Sequence, residues 1–278
     1  MSARGAKAVR HTAALVPLLL WTVLLLVPLI ITVGIALKTR YDLLVNPIGW
    51  PQPVAWGNIG TAWQEGDLGT ALMNSVIITT CGVLGLIALG ASAAYPLARR
   101  VGRWPTGIYV YFILGLIVPL QLGLVPLYRA WQWLGLVDSQ AGVVLIQIGE
   151  LLPLTIFLFT GFIKTVPREL EEAAAIDGAS QFRTFWTIVF PLLRPVTATV
   201  IIVTSLVIWN DFLIPLLFLQ QPDLQTIPLA IYGFVGEYSQ SWNLIFASIV
   251  VSSLPIIALF LILQRSFIKG LTGGALKG

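Results

Sequence analysis

KTVPRELEEAAAIDGASQFRTFWTIVFPLLRP, residues Lys164 to Pro195, is a polar stretch set between two apolar runs. Only 10% of the chain is charged, yet eight charged side chains fall inside this stretch. Its order predicts a helix, a glycine turn and a second helix. Pro167 suits a helical first turn, where its missing N–H has no intrahelical partner. Glu169, Glu171 and Glu172 put negative charge near that helix's N-terminus, which the helix dipole favours. Gly178 can take φ > 0 and end the helix, and Ser180 is a suitable N-cap for the next. Phe182, Phe185, Trp186 and Val189 then recur at i, i+3, i+4 and i+7, one apolar face. An amphipathic helix between two membrane-length runs has to bury that face, against another protein or against its own chain.

Composition sets the class. Hydrophobic residues make up 57% of the chain and the mean hydropathy is +0.90. Charge is far below the ~25% of an average globular protein. This is the composition of a membrane protein, and it excludes a soluble domain. Cys81 has no second cysteine to pair with and reads as a buried small hydrophobe. His11 is the only histidine and lies in the N-terminal tail, so no histidine-based metal or catalytic cluster is available. The basic pI of about 9.4 is spread over short loops. That pattern is topological and does not point to nucleic acid.

Six apolar runs are long enough to span: Ala13–Leu37, Ala71–Leu97, Thr106–Leu127, Ala141–Ile163, Val196–Leu219 and Leu244–Leu263. Each reaches the ~20 residues that cross a ~30 Å hydrocarbon core. The basic start at Arg4, Lys7 and Arg10 imitates a signal peptide, but no small-residue cleavage site follows, so a retained span is expected. Of sixteen Lys and Arg residues, thirteen alternate onto one side of these runs, leaving only Lys38, Arg40 and Arg129 on the other. The positive-inside rule makes the richer side the cytoplasm. The expected fold is therefore an all-α membrane protein of six transmembrane helices with both termini cytoplasmic. Residues 1–12 form one tail, 13–264 the membrane domain with the cytoplasmic segment 164–195, and 265–278 the other tail.

Within the external loops, Trp50, Trp56 and Trp63 suit a membrane-interface belt. Gln220–Asn243, which carries Asp223, Glu237 and Tyr238 but no Lys or Arg, is either a connector or a docking surface. Gly90/Ala94 and Ala88/Ser92 are small residues four apart, a pattern that permits close helix packing. Pro119, Pro126, Pro153 and Pro255 interrupt apolar runs; such breaks line a pathway or merely kink a helix. Glu150 and Asp211 are ionisable groups inside spans, each costing ~2.5–3.5 kcal/mol to insert, so a cavity or a partner is expected. Both fall about 10–14 Å below the external ends at a rise of ~1.5 Å per residue. They either share one outward-facing polar pocket with Gln147, Trp209 and Asn210 or serve as separate structural hydrogen-bonding groups. No Lys, Arg or His lies within the spans to pair with them.

Chemistry is conspicuous by what is missing. The chain has no GxxxxGK[ST] phosphate loop, HExxH, GxSxG, CxxC or EF-hand pattern. No catalytic residue and no metal or cofactor site is expected, and energy for work must come from an ion gradient or another subunit.

Glu172-Ala173-Ala174, Asp177-Gly178-Ala179, Ile188 and Phe190-Pro191 stand at the spacing of the EAA motif, and the stretch resembles that of binding-protein-dependent ABC importer permeases. The family usually ends this motif in Leu-Pro, so Phe190 is a departure that keeps the apolar character. Asn58-Ile59, Asn74-Ser75, Pro119 with Val125-Pro126-Leu127, Trp209-Asn210-Asp211-Phe212 and the ending from Gly270 to Gly278 extend the likeness over nearly the whole chain. They resemble the smaller permease subunits of the carbohydrate-uptake branch, the maltose-transporter type. The resemblance implies a type I ABC importer in a bacterial or archaeal cytoplasmic membrane. It implies a second permease, commonly in a heterodimer, two cytoplasmic ATPases that carry ATP and Mg, and an extracytoplasmic binding protein. Glu172 to Pro191 would be the coupling region, with the face of Phe182, Phe185 and Trp186 divided between the ATPase and the chain's own helices, and the C-terminal tail Leu271–Gly278 a secondary contact. The rival readings are an ion-coupled six-helix secondary transporter using Glu150 and Asp211, and a membrane scaffold. Secondary transporters often show internal repeats, and none is found in this sequence.

Overall fold

The computed structural model describes residues 3–235 and 241–275, with side chains for residues 15–235 and 241–265. Glu237, Tyr238, residues 276–278 and the side chains of Arg4, Lys7, Arg10, His11 and Lys269 lie outside that description.

Helix follows helix along the chain. In order these are α1 (Ala3–Ala36), α2 (Arg40–Val45), α3 (Gly57–Glu65), α4 (Leu68–Arg99), α5 (Arg103–Gly115), α6 (Leu124–Leu134) and α7 (Gln140–Ile163). Then come α8 (Glu169–Ile176), α9 (Gln181–Thr184), α10 (Phe190–Leu192), α11 (Arg194–Asn210), α12 (Leu213–Phe218), α13 (Ile227–Tyr232) and α14 (Trp242–Ala275). Among the described residues, four helices are long and apolar enough to cross a membrane: α1, α4, α7 and α14. Two bent pairs raise the number to six if each counts as one span.

The pairs are Arg103–Gly115 with Leu120–Leu134, and Gln181–Leu192 with Arg194–Asn210, bent by 76°. Two of the expected spans are corrected. The run Thr106–Leu127 is not one helix, because α5 stops at Gly115 and the Leu120–Leu134 helical stretch leaves at 89°. Pro119 adopts an extended backbone at the break, as a residue that cannot donate into the ladder allows. The run Val196–Leu219 is likewise cut. α11 ends at Asn210, Asp211 is extended, and α12 begins at Leu213. Pro153 and Pro255, by contrast, remain inside α7 and α14.

Contacts group the chain into two units, residues 1–68 with 230–253 and residues 69–229 with 254–278. In the first, Asn58 is the tie. Its Nδ2 donates to the carbonyls of Ala36 and Lys38, both at 2.8 Å, and its Oδ1 accepts from Asn243 Nδ2 at 3.2 Å. Lys38, which sequence alone places among the loop charges, is buried; its amine donates to the Asn46 carbonyl and lies 4.0 Å from the Asp42 carboxylate. Trp50, Trp56 and Trp63 are all exposed, as an interfacial role requires.

In the second unit two apolar clusters fill the ends of α4 and α7. One gathers Ala91, Ala94, Phe159, Ile163 and Val200, the other Ile78, Leu86, Val143, Ile146 and Phe218. Gly90 lets α7 approach closely, since a Cβ there would meet Thr155 Cγ2 at 2.3 Å. Ala88 and Ser92 face outward instead, so only one of the two small-residue pairs packs. Cys81 is exposed as well, correcting the expectation of burial. In a membrane-type helix the outward face is as apolar as the inward one, so composition does not say which side Cys81 takes.

Polar side chains lace the Leu68 end of α4. Asn74 Nδ2 donates to the carbonyls of Asp223 (2.8 Å) and Gln225 (3.0 Å), and its Oδ1 accepts from Gln140 Nε2 at 2.6 Å. Ser75 Oγ accepts the Ile227 N–H at 2.9 Å. Asn74→Ala therefore strands three partners, two of them, Gln140 and Gln225, half-buried. We expect a loss of about 1–3 kcal/mol, read as a fall of several degrees in the melting midpoint in detergent; an unchanged midpoint would contradict the assignment.

Candidate functional site

The segment after α7 folds as its sequence suggests, with two adjustments. α8 starts at Glu169, two residues beyond Pro167, and the N–H groups of Glu171 and Glu172 both donate to the Arg168 carbonyl. Its end is a paired C-cap. Gly178 has φ +78°, its N–H donates to Ala175 O at 3.0 Å, and the Ala179 N–H donates to Ala174 O at 2.9 Å. This is the Schellman arrangement, which satisfies orphan carbonyls only when a residue reverses the helix hand. Ser180 Oγ accepts from the Arg183 N–H at 3.3 Å, confirming the N-cap.

The second adjustment is a π turn. Residues Gln181–Leu192 run on helically, but Phe185–Val189 are π and the Phe190 N–H bonds to Phe185 O. Pro191 offers no N–H to the Thr187 carbonyl, which loosens the ladder at this point. The expected apolar face is divided by this geometry. Phe185 and Val189 are buried in the chain's own cluster with Ala91, Ala94 and Phe159. Trp186 and Ile188 are half-buried, and Trp186 lies 4.8 Å from Phe190 and 5.0 Å from Phe185, centroid to centroid. Only Phe182 stands clear, 76% exposed. The face is thus divided, as expected, but unequally: most of it holds this chain together. Ile176, which the sequence reading passed over, is 87% exposed one residue before the cap. Glu172, Ala173 and Asp177 are exposed too, whereas Ala174 is buried and Ala179 and Pro191 are half-buried.

A clasp ties this segment to α4. Glu171 accepts from Arg99 Nε at 2.7 Å through Oε1 and from Tyr95 Oη at 2.7 Å through Oε2; Arg99 Nη2 lies 2.6 Å from Oε1. Arg99 Nη2 also donates to Val166 O at 2.9 Å, and Arg168 Nη2 returns to the Arg99 carbonyl at 3.1 Å. The paired side chains are only 11% and 15% exposed. Glu171 therefore does more than favour the helix dipole. The available signal was Tyr95 and Arg99 four residues apart, on one face at the end of a span.

The five residues expected to share a pocket come together only in part. Gln147 Nε2 donates to Asp211 Oδ2, and Asp211 Oδ1 accepts the N–H groups of Leu213 (3.1 Å) and Ile214 (3.4 Å). Asp211 caps α12 and marks the helix break, a structural role. Glu150, one turn beyond Gln147, is exposed. Asn210 is exposed and bonds back to Leu206 O at 2.8 Å. Trp209 is buried in the wall of a different cavity of about 350 Å³, with Thr79, Ser205 and Pro255. Among the described residues no group of His, Cys, Asp and Glu is arranged to hold a metal.

The class follows from comparison with known proteins. A family model described as binding-protein-dependent transport system inner membrane component matches residues 86–273, and the chain belongs to that family. It is 41% identical over 253 residues to the melibiose/raffinose/stachyose import permease protein MelC of Bacillus subtilis (strain 168), covering 91% of each chain. It is 35% identical over 259 residues to the multiple sugar-binding transport system permease protein MsmG of Streptococcus mutans, covering 92% of this chain and 93% of that one. A chain of a bacterial ABC transporter involved in the import of the acidic polysaccharide alginate superposes with TM-score 0.80 at 19% identity, over 96% of this chain and 99% of that one. A chain from the alginate transporter in complex with its pentasaccharide-bound periplasmic protein gives 0.65 at 16% identity. The fold is that of a type I ABC importer permease.

A Cβ at Gly178 would meet nothing within 4 Å, so substitution there tests backbone strain alone. Gly178→Val should cost about 1–2 kcal/mol through the left-handed conformation. Hydrogen exchange at the Ala179 amide should quicken about tenfold, with the rest of the chain unaffected; unchanged exchange would show that the cap does not depend on glycine.

Proposed function

We propose that this chain is one transmembrane subunit of an ATP-driven, binding-protein-dependent importer of a sugar or oligosaccharide, in a bacterial or archaeal cytoplasmic membrane. It spans six times with both termini cytoplasmic, the bent pair α5–α6 forming the third span and α11, continued past the Asp211 break by α12, the fifth. Residues 1–12 and 265–278 are the tails, 13–264 the membrane domain. A second permease completes the pathway, commonly as a heterodimer, two cytoplasmic ATPases supply ATP hydrolysis with Mg, and an external binding protein delivers substrate. The sugar assignment draws on the relatives that import melibiose, raffinose and stachyose or are named for multiple sugar binding, and the binding protein on the alginate complex.

One observation carries the coupling role: two large apolar side chains, Ile176 and Phe182, are exposed on either side of the Gly178 turn. Solvated apolar knobs held by a rigid turn suit a protein surface better than water. They would seat in a groove of the ATPase together with Glu172, Ala173, Asp177 and the outer edge of Trp186. Phe185 and Val189 then transmit movement inward through the core cluster, while Pro191 and Arg194 lead directly into α11. The Arg99–Glu171 clasp adds a second route, into α4. ATPase closure would move α4 and α11 together, exposing the central pathway alternately to the two sides. Gln147, Glu150, Trp209, Asn210 and Asp211 remain the candidate pathway residues, with Glu150 and Asn210, both exposed, the most available to a substrate hydroxyl.

The ion-coupled alternative fits less well, since Asp211 spends one oxygen on two backbone N–H groups and the other on Gln147. The test is purification and transport. The complex should copurify with a Walker-type ATPase, and Ile176→Ala with Phe182→Ala should weaken that association about tenfold or more at unchanged melting midpoint. Uptake that survives ATP depletion but not an ionophore would overturn the proposal.

A further inference from the structure

The elbow between α4 and α5 carries three arginines in five residues, Arg99, Arg100 and Arg103, and only the first is used. Arg99 is spent on Glu171. Arg100 and Arg103 are exposed, and no carboxylate pairs with either among the described residues. Trp104 stands beside them, 84% exposed, with Val101 at 92%. Two grooves run along α5 and share Trp104 and Ile108. The first, about 660 Å³, lies against Pro96 and Leu97 of α4 and Phe112 of α5, with Arg100 in its wall. The second, about 560 Å³, continues past Gly107 to Tyr111, with Arg103 in its wall. Each groove is thus an apolar channel with one unpaired guanidinium, and an indole separates the two.

We propose that this elbow binds one anionic phospholipid, its phosphate held by Arg100 and Arg103 and its two acyl chains lying in the grooves on either side of Trp104. The charge is complementary and the geometry is forked in the same sense as the ligand. A guanidinium takes phosphate oxygens two at a time. The site lies at the end of a 32-residue apolar helix, the depth at which headgroups meet the protein, and tryptophan prefers that interface. Basic pockets between membrane helices favour anionic headgroups for this reason. A soluble protein partner would meet the arginines but leave the apolar channels unfilled. The glycine at position 102, φ +148°, turns the chain between the two helices without adding a side chain. The proposal requires that α4 and α5 lie in a bilayer; it does not depend on the ATPase partner.

The test uses the full chain, purified in the complex it forms, in nanodiscs of phosphatidylcholine doped with phosphatidylglycerol and read by native mass spectrometry. The wild type should retain phosphatidylglycerol over phosphatidylcholine. Arg100→Gln with Arg103→Gln should reduce that retention roughly tenfold or more, Trp104→Ala should lower retention of both lipids, and Arg129→Gln should change nothing. Melting midpoints of all variants serve as the folding control. Equal retention of the two lipids by the wild type, or full retention by the double arginine variant, would overturn the proposal. So would efficient cross-linking of Val101→Cys to a second protein chain, which would mean that protein and not lipid fills the grooves.

Discussion

A carboxylate with three donors, held at the edge of an apolar bundle, decides how the polar segment of this protein is attached. Glu171 takes two hydrogen bonds from Arg99 and Tyr95 and an ion pair besides, and Arg99 reaches on to the Val166 carbonyl. With both side chains nearly covered, the pair is screened little by solvent. Losing one partner of such a pair leaves a charge without compensation, a penalty that approaches 3–5 kcal/mol when burial is complete. The pair's contribution is best seen as fixing geometry. It allows α8 one position against the end of α4, and through the Gly178 cap it sets where Ile176 and Phe182 point.

The same logic appears at the other end of the second unit. Between membrane-type helices the hydrophobic effect does not choose a face, because lipid is as apolar as a neighbouring helix. Register must come from close packing and from polar ties. Gly90 against Thr155 supplies the first; Asn74, Ser75 and Gln140 supply the second. Polar groups thus sit at both ends of α4, with an apolar stretch between them that slides against α7 only at the cost of both sets of bonds. A rigid α4 with specific ends is well suited to carry displacement along its length.

Much of this was legible in the sequence. The long apolar runs located α1, α4, α7 and α14, because length and hydropathy determine a membrane helix; the bounds of α4 and α7 agree closely, while α1 begins before its apolar run and α14 continues past its own. Gly178 and Ser180 were legible because only glycine takes the left-handed turn cheaply and only a short oxygen-bearing side chain caps well. The breaks at Gly115–Leu120 and Asp211 were not, since proline in an apolar run is compatible with a kink or with a full interruption. Which side chains of the Phe182–Val189 face turn inward was hidden for a different reason. Helical periodicity identifies a face but not its occupant, and the π turn at Phe185–Val189 shifts the register that the period assumes. Glu171 escaped because its partner is 72 residues away in sequence; the Tyr95 and Arg99 spacing marks a polar face on α4 but does not name the carboxylate that meets it. The sequence left a shared pocket and separate structural roles equally open, because span depth alone does not say what a side chain faces; Asp211 serves the backbone of α12 while Trp209 faces another cavity.

The central claim is that α8 and α4 move as one body because of the clasp. It is tested most directly by a double-mutant cycle on Arg99→Gln and Glu171→Gln in the reconstituted transporter, reading sugar moved per ATP hydrolysed. If the clasp transmits motion, each single variant loses as much coupling as the double, with an interaction energy of about 1–3 kcal/mol. Additive effects, or single variants that couple as well as the wild type, would contradict it.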